Sequence, residues 1–354
     1  MKTKHTDIFR QIPKVIVIVL SLLCLIIFPK EIGCGIKKGL ALSGETLIPA
    51  LFPFMILSSY IVASPIFIRL SKLIERPSRF LFNISGVGFI SILLGIVGGY
   101  PIGAKTVSDF YGMNMISKED SHRLLYWCVN PSPSFTITAI GTFMLGNTKS
   151  GVLIFLSNLV ASFVIGFFAR FTGKENPKNF CAPLNIKNTD AFISSVAAGS
   201  KAMLSVCGWV LTFSAISSAL ECIVGTGNLS IFIKAISEVT TGCHSISQQG
   251  FSLPVLSAVT GFGGLAVIFQ IAPYIRKCDY DLKAFICLRL LNGALSAFFC
   301  SGLCKILPQA ADVSQILNIG NIQLNLSHSV IATIFLIITC ILLILEVDNK
   351  GKVC

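Results

Sequence analysis

Two stretches of the chain, Phe80 to Ala104 and Ser245 to Ile275, contain no charged side chain over 25 and 31 residues. A helix needs roughly 20 apolar residues to cross a bilayer. A soluble helix of that length would carry a polar face, and these stretches have none. Both are also rich in glycine, so they are long enough to span a membrane yet built to break. Further charge-poor runs are residues 12–29, Thr46–Ala63, Leu124–Thr148, Ser150–Ala169, Ala202–Leu220, Leu282–Cys304 and Ser329–Leu345. These runs predict an all-α polytopic membrane protein with about seven transmembrane helices.

Charge supports the same class. Charged residues make up 12% of the 354, about half the share of a soluble domain. The net charge of +12 gathers in short loops, which the positive-inside rule explains as topology and headgroup contact. No basic stripe with aromatics lies on a polar scaffold, so nucleic acid is excluded as a partner. Of the 13 cysteines, most sit in apolar runs, among them Cys24, Cys128, Cys207, Cys222, Cys287, Cys300 and Cys340, where they act as small hydrophobes. Cys300 and Cys304 are four apart without a histidine or carboxylate, so no metal site and no cofactor are expected. The N-terminal apolar run is followed by Pro29-Lys-Glu-Ile rather than a small-residue cleavage site, which favours an uncleaved helix.

The runs fall into two similar halves. Gly95 matches Gly261, Gly98 matches Gly264, and Arg123-Leu-Leu matches Arg289-Leu-Leu, all at one offset of 166. This predicts a duplication: an N-terminal helix (1–30), a first repeat (31–172) with a re-entrant segment at 86–113, and a polar loop (173–189). A second repeat (190–347) with a re-entrant segment at 245–278 and a tail (348–354) follow. Two re-entrant helical hairpins leave three full spans per half, which inverts one repeat against the other, a transporter signature. On this reading the inside holds the basic N-terminus, Arg69, Lys72, Arg76, Arg79 and Arg170. The outside takes Lys37, Lys38, Arg276 and Lys277.

The sharpest motif is Gly98-Gly99-Tyr100-Pro101-Ile-Gly103-Ala-Lys105-Thr. Its glycines and proline break a helix and free backbone groups. Resumption after Pro101 would aim a positive helix N-terminus into a cavity, suited to an anion. The segment is not a phosphate-binding loop, because Ala104 separates Gly103 from Lys105 and no strand precedes it. The alternative is a surface loop with Lys105 snorkelling. Asn130-Pro-Ser132-Pro-Ser134 is a second break, either ligand-binding or a self-satisfied kink. The Gly263-Gly264 pair with Gln270 is the second-half counterpart, or else a close helix packing site. Arg289 lies deep in its run, as a carboxylate binder or a partner for carbonyls. Arg123 is expected at the interface near Glu119 and Asp120. Asp109 is the ion-coupling candidate, with a solvated loop carboxylate as the plainer reading.

Catalysis has little to work with. His5, His122, His244 and His328 form no metal spacing and no Ser–His–acid set, so the chain is not expected to be an enzyme.

These residues resemble the YlbJ-like sporulation integral membrane proteins, grouped with the nucleoside-recognition (Gate) domain proteins. The segments that carry the resemblance are Leu51-Phe-Pro-Phe54, Gly98 to Lys105, Asn130-Pro-Ser-Pro133, and Phe262-Gly-Gly-Leu265 with Gln270. It spans about residues 40–305. The resemblance implies a role in endospore formation, a fold similar to concentrative nucleoside transporters, and movement of dipicolinic acid across the outer forespore membrane. The partners expected are then a dipicolinate-like small anion and the bilayer, with room for a homo-oligomer. A nucleoside or nucleobase transporter and a non-transporting scaffold of spore assembly are the competing readings.

Overall fold

The computed structural model describes residues 19, 22–63, 66–172, 188–225 and 227–308. The expected spans at 329–345 and over most of 12–29 lie outside the described residues, as does most of the 173–189 loop. Within the described residues every regular element is helical.

The chain begins with α1 (Pro29–Leu42), a π-turn (Ser43–Leu47) and α2 (Ile48–Ala63), which together form one long apolar helix. α3 (Ile66–Phe82) is amphipathic and meets α4 (Gly86–Gly98) at 91°. Glu75 fixes that corner by accepting from Arg79 Nε and from the Gly86 amide, each at 2.5 Å. α5 (Tyr100–Gly112) and α6 (Lys118–Leu125) follow, then an irregular stretch and a π-helix, Ser134–Met144. α7 (Thr148–Ala169) closes the first half. The second half contains α8 (Asn188–Val224), α9 (Asn228–Ser237), α10 (Val239–Gln248), α11 (Leu253–Phe262), α12 (Gly264–Lys277) and α13 (Leu282–Ile306). Among the described residues five helices are long and apolar enough to cross a membrane, or six if the bent α3–α4 pair is one span. The protein is therefore a multi-pass α-helical membrane protein.

Two helix pairs fold back on themselves. α5 reverses onto α4, so that a Cβ on Gly95 would stand 3.0 Å from the Gly103 Cα. Gly99 makes the reversal with φ +89° and ψ −174°, a region open to glycine alone. α10 reverses onto α9, where Gly242 lies against the Ala235 backbone. This second pair, 228–248, corrects the sequence expectation, which placed the matching hairpin at 245–278. Residues Leu253–Lys277 instead form one 25-residue apolar span. Gly263 interrupts it in the left-handed region, φ +88° and ψ −13°, but the helix runs on instead of turning back.

The long helices set the direction of everything else. α8 packs antiparallel along α1–α2: Gly35 lies on Ser214 and Ser218, Gly199 lies on Ile56, and the Tyr60 and Phe192 rings meet at 6.5 Å. The α4–α5 pair opens toward the end of the molecule that holds α3. Arg170 reaches the same end, donating to the Phe80 carbonyl at 2.8 Å. So does the end of α12, where Asp279 pairs with Lys118 at 2.5 Å. That hydrogen bond holds the Asp279 carboxyl below its usual range. Arg276 and Lys277, expected on the opposite face, thus join the basic end because their span crosses. The α9–α10 pair opens the other way, toward the start of α1.

Close packing of the first pair is testable. A Cβ on Gly103 would run into the Cys128 carbonyl, and overpacking of this kind costs about 1–3 kcal/mol. Gly103→Ala should lower the melting temperature in detergent, whereas Gly112→Ala, which meets nothing within 4 Å, should cost little.

Candidate functional site

The tips of the two folded-back pairs meet in the middle of the molecule. Gly98, Gly99, Tyr100 and Pro101 from the first line a small cavity with Glu238, Val239 and Thr240 from the second. Ser132, Gln270 and Trp209 complete its wall. The volume is about 50 Å³, space for water rather than a metabolite. We call it the neck.

A larger cavity lies on each side of the neck. One, about 430 Å³, opens toward the basic end and is lined by Lys105, Lys201, Ser205, Gln270 and Tyr274. The other, about 440 Å³, opens the opposite way between Lys38, Glu45, Glu221, Lys234 and His244. The long helices visit the three spaces in order. α8 lines the first with Ser194 to Ser205, the neck with Val206 to Val210, and the second with Ser214 to Glu221. Antiparallel α1–α2 passes them in reverse, from Gly35 through Leu51 and Met55 to Ser59. Pro101 and Gln270 belong to both the neck and the basic vestibule.

Helix ends give the neck its polarity. α5 starts at Tyr100 and α12 at Gly264, and neither N-terminus has a side-chain cap. Each carries the partial positive charge of a helix start, although in α5 Pro101 has no N–H and the Ile102 amide donates to the Gly99 carbonyl at 3.2 Å. α10 also starts here, but Glu238 caps it, accepting from Thr240 N at 2.8 Å and Thr241 N at 2.6 Å. Three helices also end here, α4 at Gly98, α9 at Ser237 and α11 at Phe262; side chains cover the negative end of α11. Tyr100 Oη donates to the Thr260 carbonyl at 2.7 Å, Asn292 to Gly261 at 3.0 Å, and Arg289 to Gly261 and Phe262.

The structure separates the sequence candidates into three groups. Gly98, Gly99, Tyr100, Pro101, Ser132 and Gln270 line the neck. Ser134 joins it indirectly, through a 2.9 Å contact with Ser132. Lys105 stands in the basic vestibule, paired with Asp109 at 3.0 Å.

The third group is structural. Gly103 packs against Cys128, and Gly263 and Gly264 let α12 approach Tyr100 and Glu238. Asn130 donates to the Trp127 carbonyl at 2.8 Å and accepts from Ser162. Arg289 is fully buried, and its guanidinium donates to the carbonyls of Val129, Gly261 and Phe262. It does not line the neck, which corrects its expected place as a carboxylate ligand. Arg123 is likewise buried, held by Asp120, one of the partners expected for it, and by the Asn83 carbonyl. Sequence reasoning missed Glu238, Trp209 and Lys201. Only Glu238 left a signal, an acid in an apolar segment followed by Val-Thr-Thr-Gly.

The sporulation integral membrane protein YlbJ of Bacillus subtilis (strain 168) is 26% identical over 321 residues, covering 77% of this chain and 78% of that protein. This chain is similar to that protein over most of its length. No protein-family model matches the sequence, and no solved structure matches it. The similarity covers most of both chains, so it describes the whole helical body rather than one segment.

Arg289 yields a prediction that separates scaffold from ligand. Arg289→Ala would leave the Val129 and Phe262 carbonyls without their side-chain donor and Gly261 with Asn292 alone, at about 1–3 kcal/mol for each orphaned carbonyl before relaxation. Arg289→Lys cannot reach all three. Both variants should melt well below the wild type in the absence of any ligand, as followed by thermal unfolding in detergent. Unchanged melting would return Arg289 to the list of ligand residues.

Proposed function

We propose that this protein is a sporulation-associated membrane transporter of a small anionic metabolite, working by alternating access between two inverted repeats. The observation that carries the proposal is the row of vestibule, neck and vestibule, closed where two oppositely directed hairpin tips meet. A scaffold protein has no need of such a path. The relative's description as a sporulation integral membrane protein supports the cellular setting.

The repeats we infer pair α1–α2 with α8, α4–α5 with α9–α10, the broken span 118–144 with 253–277, and α7 with α13. Their helix caps Asn147 and Asp281 are 134 residues apart, so the 166 offset is not the register of this duplication. The antiparallel course of α1–α2 and α8 supports inversion. Broken helices whose N-termini face a midplane site are the recurring design of such carriers. Both hairpins are then re-entrant, one from each face. The positive-inside rule puts the α3 end in the cytoplasm.

The uncapped N-termini of α5 and α12 favour an anion. Lys105 and Lys201 in the basic vestibule would raise its local concentration. Dipicolinic acid, the cargo implied by the family resemblance, is a planar dianion of this kind, and its transit across the outer forespore membrane is our leading assignment. A nucleoside would gain little from these charges.

Two measurements test the reading. Dipicolinate, but not uridine, should raise the melting temperature of the purified protein, since a ligand that binds only the folded state stabilises it. It should also enter proteoliposomes carrying the protein. With exposed native cysteines replaced, Lys201→Cys should react with a membrane-impermeant thiol reagent from the cytoplasmic face alone, and Gln248→Cys from the opposite face alone. Labelling of both from one face would sink the alternating-access path.

A further inference from the structure

Among the described residues Glu238 is the one carboxylate, and the one ionisable acid or base of the Asp, Glu, Lys, Arg and His types, lining the neck. It is buried, and Gly264 presses its backbone against that of Glu238 and Val239. Its carboxylate holds the Thr240 and Thr241 amides, the same donors that would otherwise offer a third positive helix end. An ionised Glu238 therefore opposes an anion twice, by like charge and by occupying its donors. A proton removes both obstacles, because a neutral carboxyl carries no charge and is a much weaker acceptor.

We propose that Glu238 is the proton-coupling residue, and that the anion and a proton cross together. The proposal rests on the anionic-cargo reading above. Opening of either vestibule to the neck lets one proton bind Glu238 as the anion enters. The anion takes over the Thr240 and Thr241 amides. When the neck opens to the other side both leave, and the carboxylate returns to its cap. One proton moves with each anion, and nothing else is consumed.

The neighbouring groups leave this role to Glu238. Tyr100 on α5 and Cys243 on α10 are the titratable side chains in electrostatic reach. Tyr100 already donates to Thr260. Lys234, one turn back on α9, is paired with Glu221 at 2.5 Å. Arg289, on α13 behind Tyr100, is held by carbonyls, and α8 and α12 present Trp209 and Gln270. Asp109, the sequence candidate for coupling, lies in the last turn of α5, far from the tip, and is paired with Lys105.

The test is dipicolinate uptake into proteoliposomes between pH 6 and 8, with wild type, Glu238→Gln and Glu238→Asp side by side. Melting curves establish that each variant folds. Wild-type uptake should rise as pH falls, by up to about tenfold per unit where Glu238 is mostly ionised, and an inward proton gradient should drive accumulation. Glu238→Gln, neutral at every pH, should move the anion with a flat profile and no response to the gradient. Glu238→Asp should restore the slope. Equal slopes in wild type and Glu238→Gln would overturn the coupling role while leaving anion transport standing. Uptake of uridine but not dipicolinate by the wild type would overturn the anionic-cargo reading, and this proposal with it.

Discussion

The centre of this protein depends on backbone carbonyls that no helix can satisfy. Two broken segments come together there, one at Val129 and one at Gly261 and Phe262, and each break orphans acceptors far from bulk water. Lipid offers no donors, so broken helices survive only where protein supplies them. Arg289 supplies them to both breaks at once. Its charge is spent on a helix C-terminus, where a cation is favoured. The same network runs on through Asn292, Ser162 and Asn130, and through Asn158, Thr260 and Ser296. α7, α11 and α13 are joined by polar contacts rather than by hydrophobic contrast, which lipid does not provide.

How much of this was legible depends on what each residue type can encode. Charge-free runs reveal crossings, and α7, α8 and α13 appeared where such runs lie. Gly99 with Pro101 gave away a reversal, because few sequences tolerate that backbone. Gly263 and Gly264 gave the same signal, yet their segment runs on. Glycine permits a break without stating its angle, and ψ at the hinge decides between a hairpin and a crossing. The α9–α10 hairpin was hidden for the opposite reason. Its turn needs no positive φ; it passes through Glu238 at φ −147° and ψ 125°, which any residue adopts. Two ten-residue arms carrying a lysine and a glutamate look interfacial until something is known to pack around them. Arg123 and Arg289, matched at the 166 offset, have different roles in the structure. Both arginines are buried, but one anchors the α3–α4 corner and the other the central breaks.

Site residues were legible only where chemistry and chain break coincide. Tyr100 and Ser132 sit at their own breaks. Trp209 and Val206 reach the neck from the middle of an unbroken helix, a matter of α8 packing that no local pattern announces. Asn130 was a sound guess by type, since a buried amide beside two prolines needs partners. It found them in Trp127 and Ser162, so it holds the wall rather than meets a ligand.

The orientation of helix ends follows from this division of labour. Three helices begin at the neck and three end there. Of the ends, that of α11 is neutralised by Tyr100, Asn292 and Arg289, all on neighbouring elements and all committed to carbonyls. Of the three beginnings only α10 is neutralised, and by a side chain that can change its charge. The neck therefore holds two uncapped helix starts and one adjustable charge, Glu238. A scaffold that needed only stability would cap every end. Leaving α5 and α12 open costs stability in the empty protein and is offset when something negative arrives, which is how a binding site differs from a well-packed core.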